Sequence, residues 1–162
     1  MQPVLIFELL ILIAVANGTP VVAKKLFGEA WAQPLDGGLN WFDRRPLFGP
    51  SKTIRGIVLS LLVTPIFAVL LGFAWQVGVL IAAAVMAGDL LSSFIKRRMG
   101  RAPSSQAIGL DQIPESLFPL IASRWMLPVS LIDILVGAAI FLVAAPILSR
   151  LFFYLGLRDQ PY

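Results

Sequence analysis

Five long apolar runs decide what this chain can fold into. They cover residues 3–22, 54–73, 75–95, 113–126 and 128–154. A helix needs about 20 apolar residues to cross the hydrocarbon of a bilayer, and four of the runs meet that length. The run at 113–126 is shorter and is interrupted by Pro114, Glu115 and Pro119, so it reads as a short crossing or a broken helix. Of 162 residues, 58% are hydrophobic and only 14% charged, whereas a soluble domain carries about a quarter charged. Lipid can cover that much apolar surface where a soluble fold of this size cannot. The expected fold is all-α: one polytopic membrane bundle over residues 1–162 with about five transmembrane helices. Ala14-Val15-Ala16 has the small-x-small form of a signal-peptidase site. The stretch before it carries Glu8 and lacks any Lys or Arg, so the first run is expected to stay as a helix.

Charge sets the expected orientation. The net +4 is not spread as a nucleic-acid surface would be. It sits in short clusters beside apolar runs, and such loops stay cytoplasmic. One loop carries Lys24, Lys25, Arg44, Arg45 and Lys52, with Arg55 just inside the next run; the other carries Lys96, Arg97, Arg98 and Arg101. The link near residues 73–75 has no charge. Both basic loops are therefore expected in the cytoplasm and the N-terminus outside. Five crossings then also bring Arg150 and Arg158 inside. Trp75 and Trp125 lie at run ends, where interfacial aromatics are expected. The Pro- and Gly-containing stretches 33–50 and 103–109 are expected to order fully only around a ligand.

The chain has no cysteine and no histidine. Thiolate sites and the commonest general base and zinc ligand are thereby excluded, leaving carboxylates and a hard cation such as magnesium. Ionisable groups close to hydrocarbon are costly, and so are functional candidates. Asp89 lies two turns before Lys96, and helical spacing puts Asp89, Ser92, Ser93 and Lys96 on one face. That arrangement suits a structural Asp89–Lys96 ion pair, or a metal and phosphate site. Residues 49–56 read Gly-Pro-Ser-Lys-Thr-Ile-Arg-Gly at a helix entry. This is either a basic flank of a membrane helix or a phosphate cradle, in which amides at the helix start join Lys52 and Arg55. Asp111 precedes Gln112 at the edge of the fourth run, and Glu115 is a third possible ligand or the partner of an Arg. Asp43 is a solvated loop acid or a site residue. Asn17-Gly18-Thr19-Pro20 is expected to end the first helix or unwind it toward a cavity. Glu8 and Asp133 fall toward the other half of the bilayer and are expected to serve packing.

Five segments in order resemble one family across nearly the whole chain. They are Ala16-Asn17-Gly18-Thr19-Pro20; Pro34-Leu35-Asp36-Gly37; residues 43–56 (Asp-Arg-Arg-Pro-Leu-Phe-Gly-Pro-Ser-Lys-Thr-Ile-Arg-Gly); residues 88–98 (Gly-Asp-Leu-Leu-Ser-Ser-Phe-Ile-Lys-Arg-Arg); and Leu110-Asp111-Gln112. The family is the CDP-archaeol synthases and their bacterial relatives, distantly similar to phosphatidate cytidylyltransferase. The resemblance implies a nucleotidyltransferase in the cell membrane, acting at its cytoplasmic side in phospholipid biosynthesis. CTP and a lipid phosphate, isoprenoid or diacyl, would give a CDP-lipid and pyrophosphate with magnesium. It implies Asp89 and Asp111 as metal ligands, with Lys96 beside them as a catalytic group. It implies Asn17, Lys52, Thr53, Arg55, Ser92, Ser93, Arg97, Arg98 and Gln112 as substrate-binding residues. Two features depart from the archaeal pattern. Pro114 stands where those members place an acid, and residues 101–109 differ from their form, which leaves the acceptor lipid open.

The inventory suits that chemistry. A phosphate monoester has a second pKa near 6, so the attacking oxygen is ionised at neutral pH without a base. The obstacle is charge repulsion, which metal ions and Lys and Arg relieve. The alternatives are a CDP-alcohol phosphotransferase, whose Asp-rich helix motif is absent, and a non-enzymatic scaffold or small transporter subunit.

Overall fold

The computed structural model describes residues 1–105, 107 and 109–157. Arg158, one of the topology signals, lies outside them. Five helices form among the described residues: α1 (Pro3–Phe27), α2 (Ile54–Leu70), α3 (Trp75–Arg98), α4 (Gln112–Ser123) and α5 (Leu131–Tyr154). Helices α1, α3 and α5 are long and apolar enough to cross a membrane, while α2 is an apolar helix of 17 residues. With 12 residues, α4 is about 18 Å long, well short of the roughly 30 Å hydrocarbon core. The run, expected as a short crossing or a broken helix, forms one helix that continues through Pro119 and is by length too short to span the hydrocarbon.

The ends of the helices follow from local chemistry. Thr53 caps α2, its side chain accepting the Gly56 amide. Ser130 and Asp133 form a reciprocal capping box at the start of α5. Asp133 is buried there and also accepts the Gln2 backbone N–H at 2.9 Å, tying the beginning of α1 to the beginning of α5. Its role is thus the packing role expected of it. Lys24 and Lys25 close α1, and Lys96, Arg97 and Arg98 close α3, where cations meet the negative end of the helix dipole.

The expected break at Asn17-Gly18-Thr19-Pro20 does not occur, for α1 runs on through Pro20 to Phe27. Proline has no N–H for the carbonyl four residues back, which here is that of Ala16. Ser60 of α2 supplies the missing donor, its Oγ lying 3.0 Å from the Ala16 oxygen. Thr19 Oγ also donates to the Val15 carbonyl at 2.7 Å. A neighbouring helix thus repairs the gap that the motif opens.

Helix α1 touches each of the other four, and α3 packs against α1, α2 and α4. Their shared core includes Leu9, Leu12 and Ile13 of α1 with Ile81 and Val85 of α3, all fully buried. Small residues bring the backbones together, as membrane helices require. A methyl group on Gly78 would lie 2.4 Å from Cα of Pro65 in α2, and one on Gly88 would lie 2.4 Å from the carbonyl oxygen of Pro114 in α4. The outward faces are apolar instead of charged: Leu62 and Ile66 of α2 are each 59% exposed, and Leu135 and Val143 of α5 face outward too. That is the surface of a multi-pass membrane protein.

The two basic loops come together at one end of the bundle, where Lys52 meets Asp89 and Asp43 meets Arg98. The loop after α1 is also more structured than its Gly and Pro content suggests. It pairs Gln33–Leu35 with Lys52–Ile54 through the amides of Leu35 and Ile54, and it folds residues 39–47 into a short hairpin.

Overpacking a close helix contact costs roughly 1–3 kcal/mol. Gly78→Ala is therefore expected to lower the thermal unfolding midpoint of the purified protein, while Leu62→Ala on the lipid-facing side leaves it nearly unchanged. Unfolding followed by circular dichroism checks this, and equal midpoints for the two variants would contradict the α2–α3 contact.

Candidate active site

The site grows from two helix ends and two loops. The close approach of Gly88 to Pro114 sets Asp89 of α3 beside Glu115 of α4. From the first loop, Lys52 reaches across and places its Nζ 2.6 Å from both carboxylate oxygens of Asp89. One turn of α4 away, Asp111 pairs with Lys96 at 2.7 Å. The Lys96 ammonium also donates to the Ser105 carbonyl at 3.0 Å. Glu115 interacts electrostatically with Asp89, Lys52 and Asp111 and hydrogen-bonds with Asp89. Five titratable groups, three carboxyls and two ammoniums, thus meet at the rim of the bundle. Glu115 lies beside Asp89, and no Arg is among the groups acting on it.

The bland expectation for Asp89 was an ion pair with Lys96 of its own helix. The structure separates the two. Asp89 takes its cation from the first loop, and Lys96 takes its anion from α4. Helical spacing placed both groups on the right face without fixing their partners.

Lys52 is held by a residue whose role the sequence did not show. Asp36 is buried, and its carboxylate accepts the amides of Gly38 at 3.0 Å, Phe48 at 2.9 Å and Gly49 at 2.9 Å. Burial pushes the Asp36 carboxyl up, but the amides of Gly49, Phe48 and Gly38 together outweigh it and hold the carboxyl below its ordinary range. The turn that follows, in which the Lys52 amide bonds to the Gly49 carbonyl, is fixed by this knot. The sequence signal was Pro34-Leu35-Asp36-Gly37 itself, an acid placed just before a glycine pair with positive φ, Gly37 and Gly38.

Two arginines lie buried behind the ion pairs. Arg97 is 4% exposed; its Nη2 donates to the Ala102 carbonyl at 2.9 Å, while Nε and Nη1 have no protein partner. Arg55 donates to the carbonyls of Gly28 and Ala30, and its Nε is unpaired. Buried donors normally find acceptors, and these two nitrogens of Arg97 lack one in the protein. Asn17 Nδ2 is likewise buried without a protein partner.

The other expected residues do more local work here. Thr53 caps α2, and Ser92 donates to the Asp89 carbonyl at 2.9 Å. Ser93 is buried, and Gln112 accepts the Gly109 amide at 2.7 Å. Arg98 pairs with Asp43 and with the carbonyls of Arg45 and Pro46. The amides at the start of α2 are largely engaged: those of Ile54, Gly56 and Ile57 bond to Gln33, to the Thr53 side chain and to the Thr53 carbonyl. A cradle of free backbone amides, expected at 49–56, does not form there.

Among the described residues no three carboxylates stand close enough together to hold a metal ion, and Asp89 and Asp111 are each paired with a lysine. The donor chemistry itself suits magnesium, since Asp89, Glu115 and Asp111 offer hard oxygen atoms within electrostatic reach of one another.

Comparison with known proteins places the chain among relatives of one kind. Residues 4–162 match the CarS-like family model, described as CDP-archaeol synthase. A CDP-archaeol synthase of Pyrococcus furiosus is 37% identical over 107 residues, 60% of this chain and 60% of that protein's length. One from Thermofilum pendens is 32% identical over 154 residues, 91% of this chain and 76% of that protein. A solved structure of an intramembrane enzyme for archaeal membrane lipid biosynthesis superposes with a TM-score of 0.65. It is 25% identical and matches 83% of this chain and 89% of its own.

The lowered Asp36 carboxyl gives a signed expectation. Its folded value lies below the unfolded one, so the stability it lends the loop is complete above the ordinary Asp value of about 3.9 and is lost as pH falls through the folded value. Asp36→Asn is expected to accelerate hydrogen exchange at the Phe48 and Gly49 amides at neutral pH. Unchanged exchange at those two amides would show that the loop does not depend on the knot.

Proposed function

This chain belongs to the CarS-like family of CDP-archaeol synthases, and from that premise we propose that its charged rim transfers a cytidylyl group from CTP to a membrane lipid phosphate. One observation carries the reading: Lys52–Asp89 and Lys96–Asp111 interlock through Glu115 at the helix ends. A triphosphate brought there would meet cations already placed by carboxylates, and a carboxylate set already placed by cations.

The reaction is one displacement. An oxygen of the lipid phosphate bonds to the α-phosphorus of CTP, the bond from that phosphorus to the β-phosphate bridge breaks, and pyrophosphate leaves. The attacking oxygen is ionised at neutral pH, which agrees with a chain that has no histidine. Lys52 and Lys96 bind phosphate oxygens and offset the repulsion between two anions. Arg97, buried with two unpaired nitrogens, receives a further phosphate oxygen. Asp89, Glu115 and Asp111 would hold magnesium, which when bound neutralises triphosphate charge and aligns the leaving group. Asn17, Ser92 and Ser93 complete the polar lining, and Thr53, Arg55, Arg98 and Gln112 keep the loops in register around it.

The basic content of both loops supports a cytoplasmic position for this end, where CTP is available. The acceptor keeps its tails in the bilayer and presents its phosphate at the rim. The names of the relatives favour an isoprenoid phosphate, and Pro114 keeps a diacyl phosphate in the comparison. Glu115, not the position occupied by Pro114, is the acid beside Asp89.

Purified protein in lipid vesicles is expected to move label from α-labelled CTP into lipid in a magnesium-dependent way. Label should appear with an isoprenoid or a diacyl phosphate, and no labelled lipid with either acceptor would contradict the proposal. Asp89→Asn is expected to abolish transfer while the protein remains folded in membranes. Turnover by that variant would remove Asp89 from the chemistry.

A further inference from the structure

The hairpin at residues 39–47 has no part in the transfer site, yet it exposes aromatic rings. Its two strands are joined by the Asn40–Pro46 bridge and by the amides of Trp41 and Leu47 bonding to the carbonyls of Arg45 and Leu39. At its tip Phe42 is 93% exposed and Trp41 43% exposed, with Leu39 outward beside them. Three large apolar residues exposed within four positions are unusual unless something covers them.

Its anchorage says what does. The Trp41 ring stands edge-on to Phe94 of α3 with centroids 5.5 Å apart, and the Arg98 guanidinium lies over the same Phe94 ring at 5.0 Å. Arg98 also pairs with Asp43, and Arg45 donates to the Arg97 and Arg98 carbonyls that end α3. The hairpin is therefore riveted to the last turn of a membrane-crossing helix. Phe94 lies four residues before Arg98, about 6 Å toward the hydrocarbon along the helix axis. A ring set edge-on against Phe94 falls at the level of the boundary between acyl chains and headgroups.

Charge agrees with that depth. Asp43 is neutralised by Arg98, and Arg44 is exposed at the turn, held there at φ 60°. The same chemistry recurs where α1 leaves the bilayer. Trp31, 76% exposed, stands near Phe27 at 6.3 Å, beside exposed Leu26 and Lys25. Tryptophans at membrane ends with basic neighbours are the signature of an interfacial anchor facing anionic headgroups.

We infer that the 39–47 hairpin is a membrane-inserted finger, seating Trp41 and Phe42 at the acyl–headgroup boundary of the leaflet on the basic-loop side, with Arg44 among the lipid phosphates. The occupant of the exposed aromatic face is the bilayer in which the bundle stands. This does not depend on the transfer chemistry.

The chain has no cysteine, so a single nitroxide label is unambiguous. Phe42→Cys, labelled and reconstituted in vesicles of phosphatidylcholine and phosphatidylglycerol, is expected to collide with dissolved oxygen in preference to a water-soluble nickel chelate. Leu62→Cys, on the lipid-facing side of α2, serves as the deep reference, and position 42 should fall shallower than it. A preference for the nickel chelate at position 42 would place the tip in water and overturn the inference. Low collision with both reagents would overturn it too, by showing another protein surface over the ring. Transfer activity of the labelled protein, measured alongside, reports separately on the catalytic reading.

Discussion

A carboxylate at the end of a membrane helix cannot stand alone, because desolvation near hydrocarbon makes an unpaired charge costly. Asp89 meets that constraint with a cation from 37 residues earlier in the chain, Lys52, whose ammonium touches both carboxylate oxygens at 2.6 Å. Much else in the site follows from the need to bring those two groups together. Asp36 fixes the turn that carries Lys52, the Gly88–Pro114 contact fixes the height of Asp89 against α4, and Lys96 and Asp111 repeat the same device one step away. A pair that lowers the cost of holding charge near lipid is also suited to a reaction between anions. Each lysine is a phosphate ligand held ready by a carboxylate, and each carboxylate is a hard ligand held ready by a lysine.

The bilayer also explains why the loops are more ordered than their composition suggests. Loops rich in Gly and Pro usually lack the apolar contacts that hold a chain in place. Here they are held by polar connections: amides to Asp36, Arg55 to the carbonyls beyond α1, and Arg45 to the carbonyls that end α3. In a site that must receive a polyanion, such connections keep the cations in position before the substrate arrives, which is where electrostatic preorganisation gains its effect.

The sequence made the all-helical layout plain because apolar run length and loop charge are one-dimensional signals. It also made Asp89, Asp111, Lys52 and Lys96 plain as charges beside hydrocarbon. What it did not show depended on distant partners. Pro20 looked like a helix end because its repair, Ser60 donating to Ala16, comes from another helix 44 residues on. Asp89 looked like the partner of Lys96 because both lie on one face of α3, and nothing local reveals that Lys52 arrives from a loop. Asp36 looked like an ordinary turn acid, since two of the amides it binds, those of Phe48 and Gly49, lie 12 and 13 residues away. The short α4 was half legible: its prolines were visible, but that the helix runs through both and packs Pro114 against Gly88 of α3 depends on a distant partner.

The central claim is that Lys52 and Asp89 have chemical duties beyond neutralising one another. Exchanging the two residues separates these roles, because Lys52→Asp combined with Asp89→Lys keeps an ion pair while moving each charge to the other's place. Each single reversal should lower the unfolding midpoint, and the double variant should recover it. Transfer of label from α-labelled CTP to lipid phosphate by the double variant is the deciding measurement. The account predicts that transfer stays absent although the fold is restored; recovery of transfer together with stability would show that the pair is structural only.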